Sequence, residues 1–146
     1  MKVEELRLGN YVAFDQGMGR IVELATKKYE EWSTGEDEHL RVISLSNGTY
    51  YACTEEELKP IPLTEELLIK AGFVENEDYE FPSFDEYIHK QFTWFGIGDF
   101  NQKYWLIHML DQASGDGGPQ ITSVHHLQNI FFAITGHELE ISNWPQ

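Results

Sequence analysis

Two stretches of the chain carry the start and stop signals of amphipathic helices, and these signals constrain the fold more than any other feature. In residues 124–135, apolar side chains recur at i, i+3, i+4 and i+7, which predicts a helix with one buried face. Ser123 or Thr122 can cap this helix at its start, and Gly136 can end it. The residues expected on the buried face are Val124, Leu127, Ile130, Phe131 and Ile134.

A shorter helix is predicted after Thr64, which precedes two glutamates and can cap the first turn. Leu67, Leu68 and Ala71 supply its apolar stripe, and Gly72 is a natural C-terminal stop. A helix of about two turns does not form stably alone in water, so it must dock on the rest of the protein.

Residues 1–61 are rich in strand signals, because short apolar runs there follow turn-forming residues. Asn47-Gly48 is the strongest hairpin signal in the chain. Thr54 and Glu57 match a capping box, which predicts a single helical turn. Five short strands with one helical turn before the last predict an SH3-like five-stranded β-barrel, by analogy with that fold class. The predicted strands lie near residues 11–14, 21–24 with a continuation towards 29, 40–45, 50–52 and 58–61.

Residues 62–146 are predicted to form a second, α+β unit that packs against the barrel. In this unit, antiparallel strands would cover the last helix, and the chain as a whole would be α+β. The predicted elements are strands at 87–95, 103–109, 120–122 and 138–141, a turn at 99–101 and a glycine-rich loop at 111–119.

The charge of the chain argues against several kinds of partner. Its 146 residues include 25 acidic and 10 basic side chains, a net charge of −15. The phosphate backbone repels such a surface, so direct DNA or RNA binding is disfavoured unless the few basic residues cluster. Anionic membranes are disfavoured for the same reason. The single cysteine, Cys53, and the lack of a signal-peptide pattern predict a cytoplasmic location.

The sequence shows no motif of a common metal, nucleotide or catalytic site. His125 and His126 would point about 100° apart on a helix, so they cannot readily grip one ion. The Gly-x-Gly pairs lack a third glycine, and the Asp111–Asp116 segment lacks the ligand spacing of a calcium loop. Acidic neighbours disfavour the thiolate of Cys53. We therefore expect no cofactor, no metal, no catalytic residue and no enzymatic activity.

Some aromatic and polar side chains are candidates for contact with a partner. On the last helix they are expected to lie opposite the buried face, and one tryptophan borders an acidic loop. We interpret the other aromatics, Trp94, Phe95, Tyr104 and Trp105, as core residues rather than as the lining of a groove. The candidate partner-binding residues are His125, Gln128, Asn129, Phe132 and Trp32.

A family resemblance rests on three phrases, LRLGNYV, PIPLTEELLIKAGF and VHHLQNIFFAITGHELEI, which cover about a quarter of the chain. In order and spacing they resemble a family of small proteins common in Bacteroides-type bacteria and often encoded beside prophage and mobile-element genes. The family has no established activity. The resemblance implies a non-enzymatic binding or accessory protein of phage or mobile-element origin with an unknown protein partner.

Two alternatives stay open beside that interpretation. The acidic clusters could imitate nucleic acid, so that the chain inhibits a host DNA-binding protein. This mimic would need its carboxylates in an ordered stripe. The other alternative is a small enzyme whose site the sequence does not reveal.

Overall fold

The computed structural model describes residues 1–24, 40–77, 85–108 and 118–142. The chain divides into two compact units, Met1–Ile61 (unit 1) and Pro62–Pro145 (unit 2). Both units are built on antiparallel sheet, with four described strands in unit 1 and five in unit 2. The two described α-helices both belong to unit 2.

Unit 1 is an antiparallel meander with the strand order β1-β2-β3-β4. One face of the sheet packs onto a core that includes Val12, Ile21 and Val42, which alternate with outward-facing residues as strand geometry requires. The elements are a 3₁₀ turn (Val3–Glu5), β1 (Tyr11–Phe14), β2 (Gly17–Leu24), β3 (Leu40–Ser44) and β4 (Tyr50–Cys53).

The predicted SH3-like barrel is wrong, because the sheet of unit 1 is open and has four strands. The expected fifth strand, residues 58–61, makes a single bridge between Lys59 and Ala13 of β1. The two backbone hydrogen bonds of this bridge are 2.9 and 3.0 Å long. Pro60 and Pro62 hold φ near −65°, far from the roughly −140° of an antiparallel strand, so the pairing does not extend.

The turn before β1 shows what the LRLGN phrase does in the fold. Gly9 has φ 88°, and the Asn10 amide donates to the Arg7 carbonyl at 3.1 Å. The side-chain oxygen of Asn10 accepts from the Arg7 amide at 2.7 Å, and Asn10 is buried. A glycine without Cβ strain and a buried asparagine therefore define the start of β1.

Unit 2 is a second antiparallel meander, with the strand order β5-β6-β7-β8-β9. Thr64 caps the first helix and Ser123 caps the second, while Gly136 closes the second with φ 71°, as the sequence predicts. No helix in the described ranges is long and apolar enough to cross a membrane. The elements are α1 (Glu65–Lys70), β5 (Phe73–Glu75), β6 (Asp85–His89), β7 (Phe95–Phe100), β8 (Lys103–His108), β9 (Gln120–Ile121) and α2 (Val124–Thr135).

Three predictions for unit 2 need correction. The strand predicted over 87–95 is two strands, β6 and β7, with a turn at residues 90–94 between them. The strand β5 is not among the predicted elements. The segment 138–141 is not a strand, although Leu139 and Ile141 are buried. Directly after this segment, the amide of Ser142 donates to the carbonyl of Lys70 in α1 at 3.0 Å.

Candidate functional site

The core of unit 2 gathers aromatic rings between the sheet and α2. The ring centroid of Phe131 in α2 lies 4.8 Å from that of His89 and 5.2 Å from that of Phe95. Phe73 on β5 lies 6.0 Å from Phe95 and 5.1 Å from His89. All four residues are buried, so the cluster anchors α2 to the sheet.

Phe92, in the turn between β6 and β7, lies between this buried cluster and two exposed rings. Its ring centroid lies 5.5 Å from His89 and 5.4 Å from Phe131 on the inner side. On the outer side it lies 5.1 Å from His137 and 6.0 Å from Trp94. Trp94 is 39% exposed, His137 is exposed and Phe92 is half-buried. We call Phe92, Trp94 and His137 the aromatic rim.

His89 holds the turn that presents the aromatic rim. Its Nδ1 accepts the backbone N–H of Gln91 at 3.3 Å and that of Phe92 at 3.2 Å. The ring proton therefore sits on Nε2, and the ring also donates to the backbone of Ala71. Burial lowers the pKa of His89 below its ordinary value of 6.5, and the Ala71 bond opposes this only in part. The turn requires the neutral ring, because a protonated Nδ1 has no lone pair to accept either amide.

This arrangement predicts that acid weakens the fold through His89. Because the folded-state pKa lies below 6.5, the unfolded chain binds the proton first as the pH falls. The stability that His89 contributes is thus complete above about pH 6.5 and is lost as the pH drops through the folded value. Urea unfolding between about pH 8 and about pH 5 should show a smaller loss in His89→Gln than in the native chain. His137→Gln, at an exposed position, is the control, and equal losses in all three chains would contradict the assignment.

Two of the helix residues expected on the exposed face are buried. His125 and Gln128 are 7% and 1% exposed. The Nδ1 of His125 lies 3.0 Å from the Oγ of Ser123, and the Gln128 amide donates to the Leu139 carbonyl at 3.5 Å. The predicted buried face is correct for Val124, Leu127 and Phe131. It also includes His125 and Gln128, because these polar side chains find hydrogen bonds inside.

The other candidate residues have different positions. Phe132 is exposed and Asn129 is half-buried on α2, so both stay predictions for partner contact. Ile134, expected in the core, is exposed. Trp32 lies outside the described residues.

The core interpretation of the aromatics is correct for Phe95 and Tyr104 and wrong for Trp94 and Trp105. Trp105 is 37% exposed because it lies between two buried neighbours on β8, Tyr104 and Leu106. Strict alternation along that strand is the signal that could have indicated its exposure. Trp94 ends a turn without glycine or proline, so no local signal predicts its exposure.

The hairpin between β7 and β8 carries a second set of exposed side chains. Asn101 and Gln102 form its turn with φ of 53° and 61°, a conformation that side chains other than glycine adopt at some cost. The strands pair Phe100 with Lys103, so both side chains share a face, and Trp105 is on the same face two residues on. Phe100 is about half exposed.

The reactive side chains of the described residues are held in structural positions. Cys53 is buried, and burial raises the pKa of its thiol, with the charges of Glu57 and Asp15 adding to the effect. Burial likewise raises the pKa of Tyr104, with Asp99 the next cause. Within the described ranges, no group of three or more His, Cys, Asp or Glu side chains could hold a metal ion.

The negative charge is concentrated in the second half of the chain. Residues 62–146 contain 13 acidic and 3 basic side chains, whereas residues 1–61 contain 12 and 7. One of those three basic residues, Lys70, is paired with Glu66 at 2.6 Å. The aromatic rim therefore lies on the more acidic unit.

No protein-family model, no curated protein and no solved structure matches the chain significantly.

Proposed function

We propose that the chain is a non-enzymatic binding protein that contacts a basic protein partner through the aromatic rim of unit 2. The observation that carries the proposal is the exposed ring of Trp94, which rests on Phe92 and, through it, on the core of the unit. The resemblance to proteins of prophages and mobile elements favours an accessory role in that setting.

The aromatic rim has the physical properties of a binding anchor. Tryptophan is enriched among the residues that dominate binding energy, and it supplies large contact area from few rotatable bonds. The turn that carries Trp94 is fixed by two hydrogen bonds to the His89 ring. A rim that is already ordered loses little conformational entropy when a partner binds.

The positions of the reactive groups favour binding over catalysis. A catalytic base or nucleophile needs an accessible atom within hydrogen-bonding reach of a substrate. In His89 both ring nitrogens are engaged in backbone hydrogen bonds. His125 bonds the capping hydroxyl of α2, and Cys53 is buried with its thiol protonated.

The charge of unit 2 points to a basic partner. An acidic surface attracts a positively charged protein and raises its association rate, most strongly at low salt. Apolar contact at the aromatic rim would then hold the complex when salt screens the charges. The predicted partner is thus retained at moderate salt, whereas a purely electrostatic one is released.

The test compares two tryptophan substitutions of similar exposure. The native chain, Trp94→Ala and Trp105→Ala would each be used to capture protein from a lysate of a Bacteroides-type strain, at low and moderate salt. A stoichiometric partner should bind the native chain and Trp105→Ala, and Trp94→Ala should weaken its affinity about 30-fold. Thermal unfolding would establish that both variants fold.

Three outcomes would contradict the proposal. Equal capture by Trp94→Ala and the native chain would exclude the aromatic rim as the contact surface. A DNA-binding protein that salt releases from all three chains would favour the nucleic-acid mimic. Absence of any partner at either salt would favour the enzyme alternative.

A further inference from the structure

The outer face of the unit 1 sheet, opposite its core, carries most of the basic side chains of the described strands. Register places Arg20, Ile43 and Tyr50 side by side on β2, β3 and β4. Arg41 lies two residues along β3 from Ile43 and therefore shares this face. Lys59, which bridges to β1, extends the same face beyond the first strand. We call Arg20, Arg41, Lys59 and Tyr50 the basic stripe.

Acidic side chains are few in the described strands that form this face. Glu23 is the one acidic residue in the four strands of unit 1, and it pairs with Arg41 at 3.3 Å. Arg20 and Lys59 are exposed, and neither forms an ion pair with an acidic side chain of the described residues. In a chain of charge −15, the four described strands thus present a locally positive surface.

Tyr50 adds an exposed aromatic ring to the basic stripe. It is 60% exposed, the largest exposed fraction among the large apolar side chains of the described residues. The guanidinium carbon of Arg41 lies 6.0 Å from its ring centroid. Across the strands, the stripe from Lys59 to Arg41 covers about 20 Å, from the usual spacing of strands and residues. Cations and an exposed ring thus share one face of the sheet.

We propose that the basic stripe binds single-stranded nucleic acid. In this complex Arg20, Arg41 and Lys59 contact phosphate groups, and the ring of Tyr50 stacks on a base. Sequence-tolerant binding of single strands combines a basic track with aromatic rings on which bases stack. The net charge of the chain disfavours nucleic acid unless the basic residues cluster, and on this face three of them share one side of the sheet. The proposal concerns unit 1 and does not depend on the partner proposed for unit 2.

The chemistry of the stripe favours a single strand over the other polyanions. A duplex carries one charge per about 1.7 Å of axis, twice the density of one strand, so the acidic remainder of the chain repels it more. An acidic peptide could pair with the three cations but offers no base for Tyr50. Repulsion from charges farther than about 10 Å is screened at moderate salt, whereas direct phosphate contacts persist.

The test is fluorescence anisotropy of the full chain with a labelled oligonucleotide of about 12 bases, within the usual range of single-strand site sizes. Arg20→Glu should weaken binding at least tenfold, and Tyr50→Ala severalfold. Lys103→Glu makes the same charge change on unit 2, so it should alter affinity less than twofold. With three phosphate contacts, log K should fall against log salt with a slope of about −2 for the native chain.

The proposal would be overturned by any of four results. These are no binding at low salt, equal effects of Arg20→Glu and Lys103→Glu, equal affinity for a duplex, or equal affinity for a polyglutamate peptide of matched length. Trp94→Ala separates this activity from the proposed protein partner, because it should leave oligonucleotide binding unchanged. Thermal unfolding of each variant would show that lost binding does not reflect lost folding.

Discussion

Replacing Phe131 with alanine is expected to lower the free energy of unfolding of unit 2 by about 3–5 kcal/mol. Phe131 is 1% exposed, and its ring lies against three others, those of His89, Phe92 and Phe95. Removal of the ring loses its transfer free energy and leaves a cavity at the point where α2 meets the sheet. Urea denaturation followed by tryptophan fluorescence would measure the loss.

The neighbouring residue provides a matched control for this substitution. Phe132 is 37% exposed, so Phe132→Ala should cost less than about 1 kcal/mol. The two variants remove the same atoms from adjacent positions of one helix, and their difference isolates burial. Similar losses in both would contradict the orientation of α2 described above.

Substitution of Gly19 by alanine is expected to destabilise unit 1 by about 3 kcal/mol, at the upper end of overpacking costs. A Cβ at this position of β2 would collide with the Val42 side chain. It would also lie 2.9 Å from the Ile43 carbonyl oxygen and 2.9 Å from the Phe14 ring. The carbonyl belongs to the neighbouring strand β3 and cannot move without loss of sheet pairing. The midpoint of thermal unfolding would report the change.

Gly48→Ala is the control for this second substitution. Gly48 has φ 69°, but a Cβ there would meet nothing within 4 Å. The expected cost is about 1 kcal/mol, from backbone strain alone. If Gly19→Ala cost no more than Gly48→Ala, the close packing of β2 against β3 would be refuted.

Local signals of the sequence predicted the ends of the elements well. The caps at Thr64 and Ser123 and the stop at Gly136 are confirmed, because each depends on a few adjacent residues. The hairpin at Asn47-Gly48 is also present between β3 and β4, where the Asn47 side chain accepts from the Thr49 amide at 2.9 Å. Such turns are stabilised by contacts that the sequence itself places side by side.

Features that depend on distant residues were not predictable in this way. Barrel closure needed a ladder between β1 and residues 58–61, and proline geometry there permits one bridge. The turn at 90–94 has no glycine or proline to signal it, and two of its amides donate to the ring of His89, a contact that no local pattern predicts. Helical periodicity places Gln128 on the exposed face, because the Leu139 carbonyl that accepts from its amide lies eleven residues further along the chain.

Predictions for the candidate site were limited in the same way, because the exposure of a side chain also depends on residues that are distant in the sequence. Phe132 was identified from its helical position, and it is exposed. Trp94 and Trp105 were assigned to the core, because aromatic residues usually bury large areas. Trp94 lies in the turn at residues 90–94, which the sequence placed inside a strand. Trp105 lies on β8 between two buried residues, where alternation could have indicated its exposure.

The segment 139–142 has a consequence for the order in which the protein folds during synthesis. It supplies the carbonyl that accepts from Gln128 and the amide that donates to Lys70, and it is made after every described strand and helix of unit 2. The described pairings of the unit 1 sheet, by contrast, lie within its first 61 residues. Domains generally fold as units while the ribosome elongates the chain. Unit 1 can therefore form during translation, whereas α1 and α2 gain their last contacts only when residues 139–142 have left the ribosome.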